Sequence, residues 1–213
     1  MFYNTDKMVM KKIECVNILG TKITVLDYPT AVRLIDDQVK RKSSFVCASD
    51  THLLMESYND KKLQKGINKS LMTTTDGMPL VWMASNILKK KVNRVYGPDL
   101  MLKVCRLAQN RKLKIFLLGG APGQGQVLAK RLMGLFPGLN IVGIEEASAR
   151  PISEKDNSTI VYTIKKLKPD IIFVGVGCPH QEKWMIRNYG KFNRGSYSLW
   201  NIKCDLSVGL QIN

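Results

Sequence analysis

The sequence has no apolar run near the ~18 residues that a bilayer-spanning helix needs, and its opening residues lack the basic-then-apolar order of a secretory leader. The expected compartment is the cytoplasm. Cysteine is sparse and unpaired: Cys15, Cys47, Cys105, Cys178 and Cys204 form no CxxC pair, and their odd number argues against a disulfide framework. With only His52 and His180 as histidines, a zinc site is not expected. No Asp-x-Asp is present to hold a divalent ion on a nucleotide diphosphate, and the Asp36-Asp37 pair falls inside a predicted helix. No GxSxG turn is present, and no cysteine has the setting of a nucleophile. Acid is scarce as well: 17 Asp and Glu stand against 33 Lys and Arg, a net charge of +16. That imbalance points to a polyanionic partner, whether nucleic acid, an anionic membrane surface or a diphosphate, or else to a merely basic, soluble surface. No RNP-like, helix-turn-helix or zinc pattern accompanies the charge, so a nucleic-acid-binding module ranks last.

What is present is alternation. Residues 1–12 are polar and basic, and are expected to be loosely held. Short β-branched runs at Ile13 to Leu19, Lys22 to Leu26 and Ser44 to Ser49 read as strands, as do Asn68 to Thr74, Leu113 to Leu118, Leu139 to Ile144 and Asp170 to Gly175. Helical spacing lies between them, as in Ala31, Leu34, Ile35 and Val39. Such alternation predicts an α/β fold, Rossmann-like, with a mostly parallel sheet covered by helices on both faces. One domain over residues 13–190 is expected, with the strand before Asp76 placed centrally.

The pivotal stretch is Leu71-Met72-Thr73-Thr74-Thr75-Asp76-Gly77-Met78-Pro79-Leu80-Val81-Trp82. A strand runs into a helix here. Gly77 permits a sharp turn or a close approach, and Pro79 suits a first helical turn. Asp76 is therefore either the N-cap of that helix or a carboxylate at the carboxyl edge of a sheet, where open α/β folds bind ligands. Asp50 stands at a second strand–helix junction with the same two readings. Gly119 and Gly120 open a glycine-bearing turn before a helix, either an anion site or simply a tight turn. The run from Gly175 through Gly177 to Gln181 and Glu182 repeats that arrangement, and the glutamate also suits the helix dipole. Arg94, after the basic run Lys89-Lys90-Lys91, is a phosphate clamp or an ordinary surface arginine.

Five blocks in order carry a resemblance: Ser49-Asp50-Thr51-His52-Leu53-Leu54, Thr75-Asp76-Gly77-Met78-Pro79-Leu80, Arg94-Val95-Tyr96-Gly97-Pro98-Asp99, Phe116-Leu117-Leu118-Gly119-Gly120, and Gly175-Val176-Gly177-Cys178-Pro179-His180-Gln181-Glu182-Lys183-Trp184. From Ile13 to Tyr189 the chain resembles the WecG/TagA/CpsF family of bacterial glycosyltransferases. The resemblance implies metal-independent, inverting transfer from a UDP-sugar to a polyprenyl-diphosphate-linked saccharide at the inner membrane face, with no cofactor. It implies Asp76 as the base, with Arg94 and Gln181 in the active-site region, and it tips the reading of Asp76 towards catalysis. Gly77, Asp50, Gly119, Gly120, Gly177 and Glu182 complete the expected substrate-binding set. Expected partners are the UDP-sugar, the lipid-linked acceptor, an anionic membrane surface and further copies of the chain. Asp50 stands where many members carry asparagine, and Ala48 where many carry threonine. After Tyr189 the sequence leaves the pattern, so residues 191–213 are set apart as an atypical tail, expected to be a truncated or frame-shifted end. That expectation keeps a second function open, a nucleotide-sugar-binding protein of the same fold with impaired catalysis.

Overall fold

The computed structural model describes residues 13–39, 43–147, 151–192 and 198–201. The segment 1–12, most of the tail and Cys204 lie outside the described residues. The chain opens with an antiparallel hairpin, β1 (Glu14–Ile18) and β2 (Thr21–Val25). Helix α1 (Tyr28–Val39) follows, then β3 (Ser44–Ser49), α2 (Thr51–Asn59), α3 (Lys61–Ile67), β4 (Met72–Thr75) and α4 (Met78–Leu88). The second half contains α5 (Gly97–Arg111), β5 (Lys114–Gly119), α6 (Gln124–Leu135), β6 (Asn140–Glu145), α7 (Glu154–Leu167), β7 (Ile171–Gly175), α8 (His180–Asn188) and β8 (Ser198–Asn201).

Strands β3 to β8 form one six-stranded sheet in the order β4-β3-β8-β7-β5-β6, and every pairing is parallel. Two expectations are corrected here. The alternation is not uniform, because β1 and β2 pair with each other outside this sheet. The strand before Asp76 is not central: β4 is the edge of the six-stranded sheet. Its four residues are nonetheless all buried, because the hairpin covers that edge, with Thr73 N–H donating to Thr24 Oγ1 at 3.1 Å. A covered edge reads in sequence like an interior strand, since both bury each face. Four residues beyond Tyr189 also enter the sheet: β8 pairs with β3 on one side and β7 on the other.

Two apolar layers sandwich the sheet. On one face α1, α5 and α6 pack Ile35, Val104 and Leu132 against Val46, Ile115 and Phe173. On the other, α2, α3, α7 and α8 pack Leu53, Ile67, Ile164 and Met185 against Phe45, Phe116 and Ile172. Adjacent strand residues thus serve opposite layers, as the period of two requires. A third cluster joins Ile18 and Ile23 of the hairpin to Leu80 and Ala84 of α4. All carboxyl ends of the parallel strands share one edge. From β5 the chain runs outward to β6, whereas from β7 it runs the other way to β8, so the connections diverge between β5 and β7, the position at which open α/β sheets bind ligands.

Candidate active site

Asp76 follows β4 at that edge and is buried, 3% exposed. It does not cap the helix that follows. The N-cap of α4 is Gly77, which makes no side-chain capping bond. Instead Asp76 Oδ1 accepts from the N–H of Gly97, the first residue of α5, at 2.5 Å. Its backbone N–H donates to Ser49 O at 2.9 Å, and its own carbonyl accepts from Arg94 Nε at 2.6 Å. The strand end holds the returning chain as well: Thr75 Oγ1 donates to Asn93 O at 2.8 Å and Thr74 Oγ1 to Val95 O at 3.1 Å. Burial raises the Asp76 carboxyl above the ordinary aspartate value, and nearby Asp99 adds to this, against the lowering pull of the Gly97 N–H and Arg94.

Asp50 and Gly77 are immediate neighbours. A Cβ on Gly77 would sit 3.1 Å from Asp50 Cβ and 3.2 Å from its Cα, so glycine is what lets the two strand ends approach. Asp50 does cap its helix, with Oδ1 accepting from Leu53 N–H at 2.9 Å. Arg94 is exposed and stacks 4.3 Å from the centre of the Tyr96 ring. Asp50, Asp76, Gly77 and Arg94 therefore form one group.

The other expected residues lie further along the edge. Strand β7 is three places from β4, which is about 14 Å at the usual ~4.8 Å spacing. Gly119 ends β5 and Gly177 follows the end of β7, both at positive φ, and Gly120 continues the turn after β5. The N-terminus of α6 is already answered from within: Glu146 Oε1 accepts from Gly123 N–H at 2.9 Å and from Gly125 N–H at 3.3 Å. Gln181 is buried and knits the α8 turn, accepting from Gly177 N–H at 3.1 Å and donating to Glu182 Oε1 at 3.2 Å. His52 lies on the surface, 3.5 Å from Glu56. Among the described residues no three His, Cys, Asp or Glu side chains gather as metal ligands.

The sequence model of the Glycosyl transferase WecG/TagA/CpsF family matches residues 16–199. The chain belongs to the WecG/TagA/CpsF family of glycosyltransferases. A relative from Staphylococcus aureus (strain MRSA252), named N-acetylglucosaminyldiphosphoundecaprenol N-acetyl-beta-D-mannosaminyltransferase, is 23% identical over 180 residues, covering 83% of this chain and 69% of the relative. Proteins of the same name from strains NCTC 8325 / PS 47 and COL align with the same identity and coverage.

In this WecG/TagA/CpsF glycosyltransferase the sequence reading missed what fixes Asp76, namely Gly97, and what flanks it, Tyr96 and Asp99. Signals for them existed. Arg94 and Tyr96 are two residues apart in extended chain and so share a side. Gly97-Pro98 marks a helix start whose first amide has no partner within the helix. Asp99 in turn accepts from Tyr28 OH at 3.0 Å, a link over 71 positions that no local pattern announces.

Glu182 is fully buried, and burial pushes its carboxyl up from about 4.5 to about 7, against the lowering effect of the Gln181 bond and a contact from Cys178. Between those values the folded chain holds a proton that the unfolded chain has lost. This contribution to stability is thus full below about pH 4.5 and is lost as pH rises to about 7. Glu182→Gln is expected to remove that slope. By urea unfolding, the variant should match the wild type at pH 4.5 and exceed it at pH 8 by on the order of 2 kcal/mol.

Proposed function

We propose that the chain transfers a sugar, with inversion, from a UDP-sugar to a saccharide carried on polyprenyl diphosphate, in wall teichoic acid or other bacterial surface-polysaccharide synthesis at the inner face of the membrane. The acceptor class is supported by the names of the relatives, which specify N-acetylglucosaminyldiphosphoundecaprenol, and the kind of product by membership of the family. The observation that carries the mechanism is a buried carboxylate at the sheet's carboxyl edge, held on one oxygen and raised in pKa.

With Asp76 Oδ1 fixed by Gly97 N–H, Oδ2 is the oxygen that takes the proton from the attacking hydroxyl. The new C–O bond forms on the face of the sugar opposite UDP, and the bond to UDP breaks with its electrons. Gly77 is half-buried and Arg94 exposed, so the acceptor approaches from their side. Charge building on UDP is offset by Arg94 and the basic surroundings, with no metal required. Asp50 and the glycines at β5 and β7 line the path of the donor.

Released UDP, measured over a panel of UDP-sugars with a lipid-diphosphate acceptor, tests the reading. UDP release that depends on the acceptor supports it. UDP binding without release would instead make the chain a nucleotide-sugar binder. Arg94→Lys keeps the charge but cannot keep both the Nε bond to the Asp76 carbonyl and the planar stack on Tyr96. About a tenfold loss of kcat/KM is expected, since a bond from a charged donor contributes about 1.5 kcal/mol or more.

A further inference from the structure

Helix α4 begins two residues after Asp76 and breaks the usual rule for a surface helix. Its 11 residues, MPLVWMASNIL, include no ionisable side chain. Leu80, Val81 and Ala84 fill the inward side against the hairpin. The outward side is apolar too: Met78 is 38% exposed, Trp82 64% and Ile87 53%. Met78 and Trp82 lie one turn apart, and so do half-buried Met83 and exposed Ile87, giving two parallel apolar rows. The two polar residues are occupied locally, Ser85 Oγ by Val92 N–H at 3.1 Å and Asn86 Oδ1 by Lys89 Nζ at 3.4 Å. A helix that is apolar all round is normally buried or in lipid. Other large apolar side chains at the surface, such as Val127 and Tyr162, stand on separate helices.

Lys89, Lys90 and Lys91 follow the helix directly and are all exposed. Among the described residues Glu14 answers only Lys90. We propose that the outward face of α4, with Lys89 and Lys91 at its C-terminal end, docks on an anionic bilayer surface. Charge complementarity selects this occupant. A contact between copies through this face would press together chains that each carry +16, and α4 itself offers the lysines no acidic partner, whereas anionic headgroups neutralise them. Eleven residues span about 16 Å, too short to cross a bilayer, so the helix lies along it with Trp82 at headgroup depth. Asp76 is thereby set at the membrane side, where a lipid-carried acceptor presents its sugar. That purpose rests on the proposed function, but the docking is measured without substrate, so either can fail alone.

The test is sedimentation of the full chain with vesicles of phosphatidylglycerol and phosphatidylcholine, and with phosphatidylcholine alone. The wild type should bind the anionic vesicles and bind neutral ones weakly. Trp82→Ser should weaken anionic binding about tenfold. Lys89→Gln with Lys91→Gln should weaken it about 25-fold, at about fivefold per lysine, and leave neutral binding unchanged. Val127→Ser, on α6, should stay within about twofold. Unfolding midpoints matching the wild type confirm that the α4 variants fold. The proposal is overturned if the wild type ignores anionic vesicles, or if folded α4 variants bind as well as it does. It is also overturned if Trp82→Ser abolishes self-association while vesicle binding persists, which would make the face a contact between copies.

Discussion

Asp76→Asn should lower kcat for UDP release about a thousandfold, at the upper-middle of what a positioned base contributes and equivalent to ~4 kcal/mol of barrier. The substitution is chosen because of how Asp76 is held. Its Oδ1 accepts the Gly97 N–H, and an asparagine oxygen accepts the same bond. Its backbone links to Ser49 and Arg94 do not involve the side chain's charge. The anchoring of α5 on β4 therefore survives, and removing a buried carboxylate relieves some desolvation. Stability should change by less than about 1 kcal/mol. What is lost is the ability to accept a proton. The pH profile separates this from an anchoring role. In the wild type, kcat/KM should fall as pH drops through the raised pKa of Asp76, placing the acid limb above the usual aspartate range. Residual turnover in Asp76→Asn should lack that limb. A folded Asp76→Asn protein turning over near the wild-type rate would leave Asp76 as an anchor of the α5 start only. Asp76→Ala would then show its effect in the unfolding midpoint.

The sheet, its parallel sense and the helices on both faces were legible because each strand carries a β-branched run and each helix an apolar stripe. Order was not. β4 looked central because its run is β-branched with no polar face of charged residues; its residues are all buried, and pattern cannot tell a neighbouring strand from a covering hairpin. The entry of Ser198–Asn201 between β3 and β7 was equally invisible, since strand insertion depends on partners more than 20 residues away. At the site, residue type and junction were legible and partners were not. Both aspartates follow strands as expected, yet Asp50 caps its own helix while Asp76 reaches 21 positions ahead to Gly97. Local propensity offers both the same role, and only the return of residues 93–97 onto the end of β4 distinguishes them. At the turn that Gly119 and Gly120 open, the sequence left an anion site and a tight turn equally open, and it did not show that Glu146, from the loop after β6, accepts from the N–H groups of Gly123 and Gly125 further along.

Gly119→Ala should be the most destabilising single-methyl change on this edge, by about 3 to 4 kcal/mol. Two independent causes act together. The residue sits at φ +117°, a conformation that a Cβ disfavours. The added Cβ would also lie 2.4 Å from Gly175 O and 2.5 Å from Gly175 C. Those atoms are backbone in the neighbouring strand, paired with Gly119 in register, so no side chain can swing aside. Relief requires β5 and β7 to part where the connections diverge. For a chain of this size the unfolding midpoint should drop by roughly 6 to 16 °C, at about 2 to 4 °C per kcal/mol. Gly123→Ala provides the contrast. Its φ is +84°, but nothing lies within 4 Å of the added atom, so it should lose only the conformational part, about 1 kcal/mol. Equal losses in the two variants would mean that strain at φ, and not the approach of β7, dictates glycine at residue 119. A larger loss in Gly119→Ala would locate the constraint in the close approach of β5 and β7.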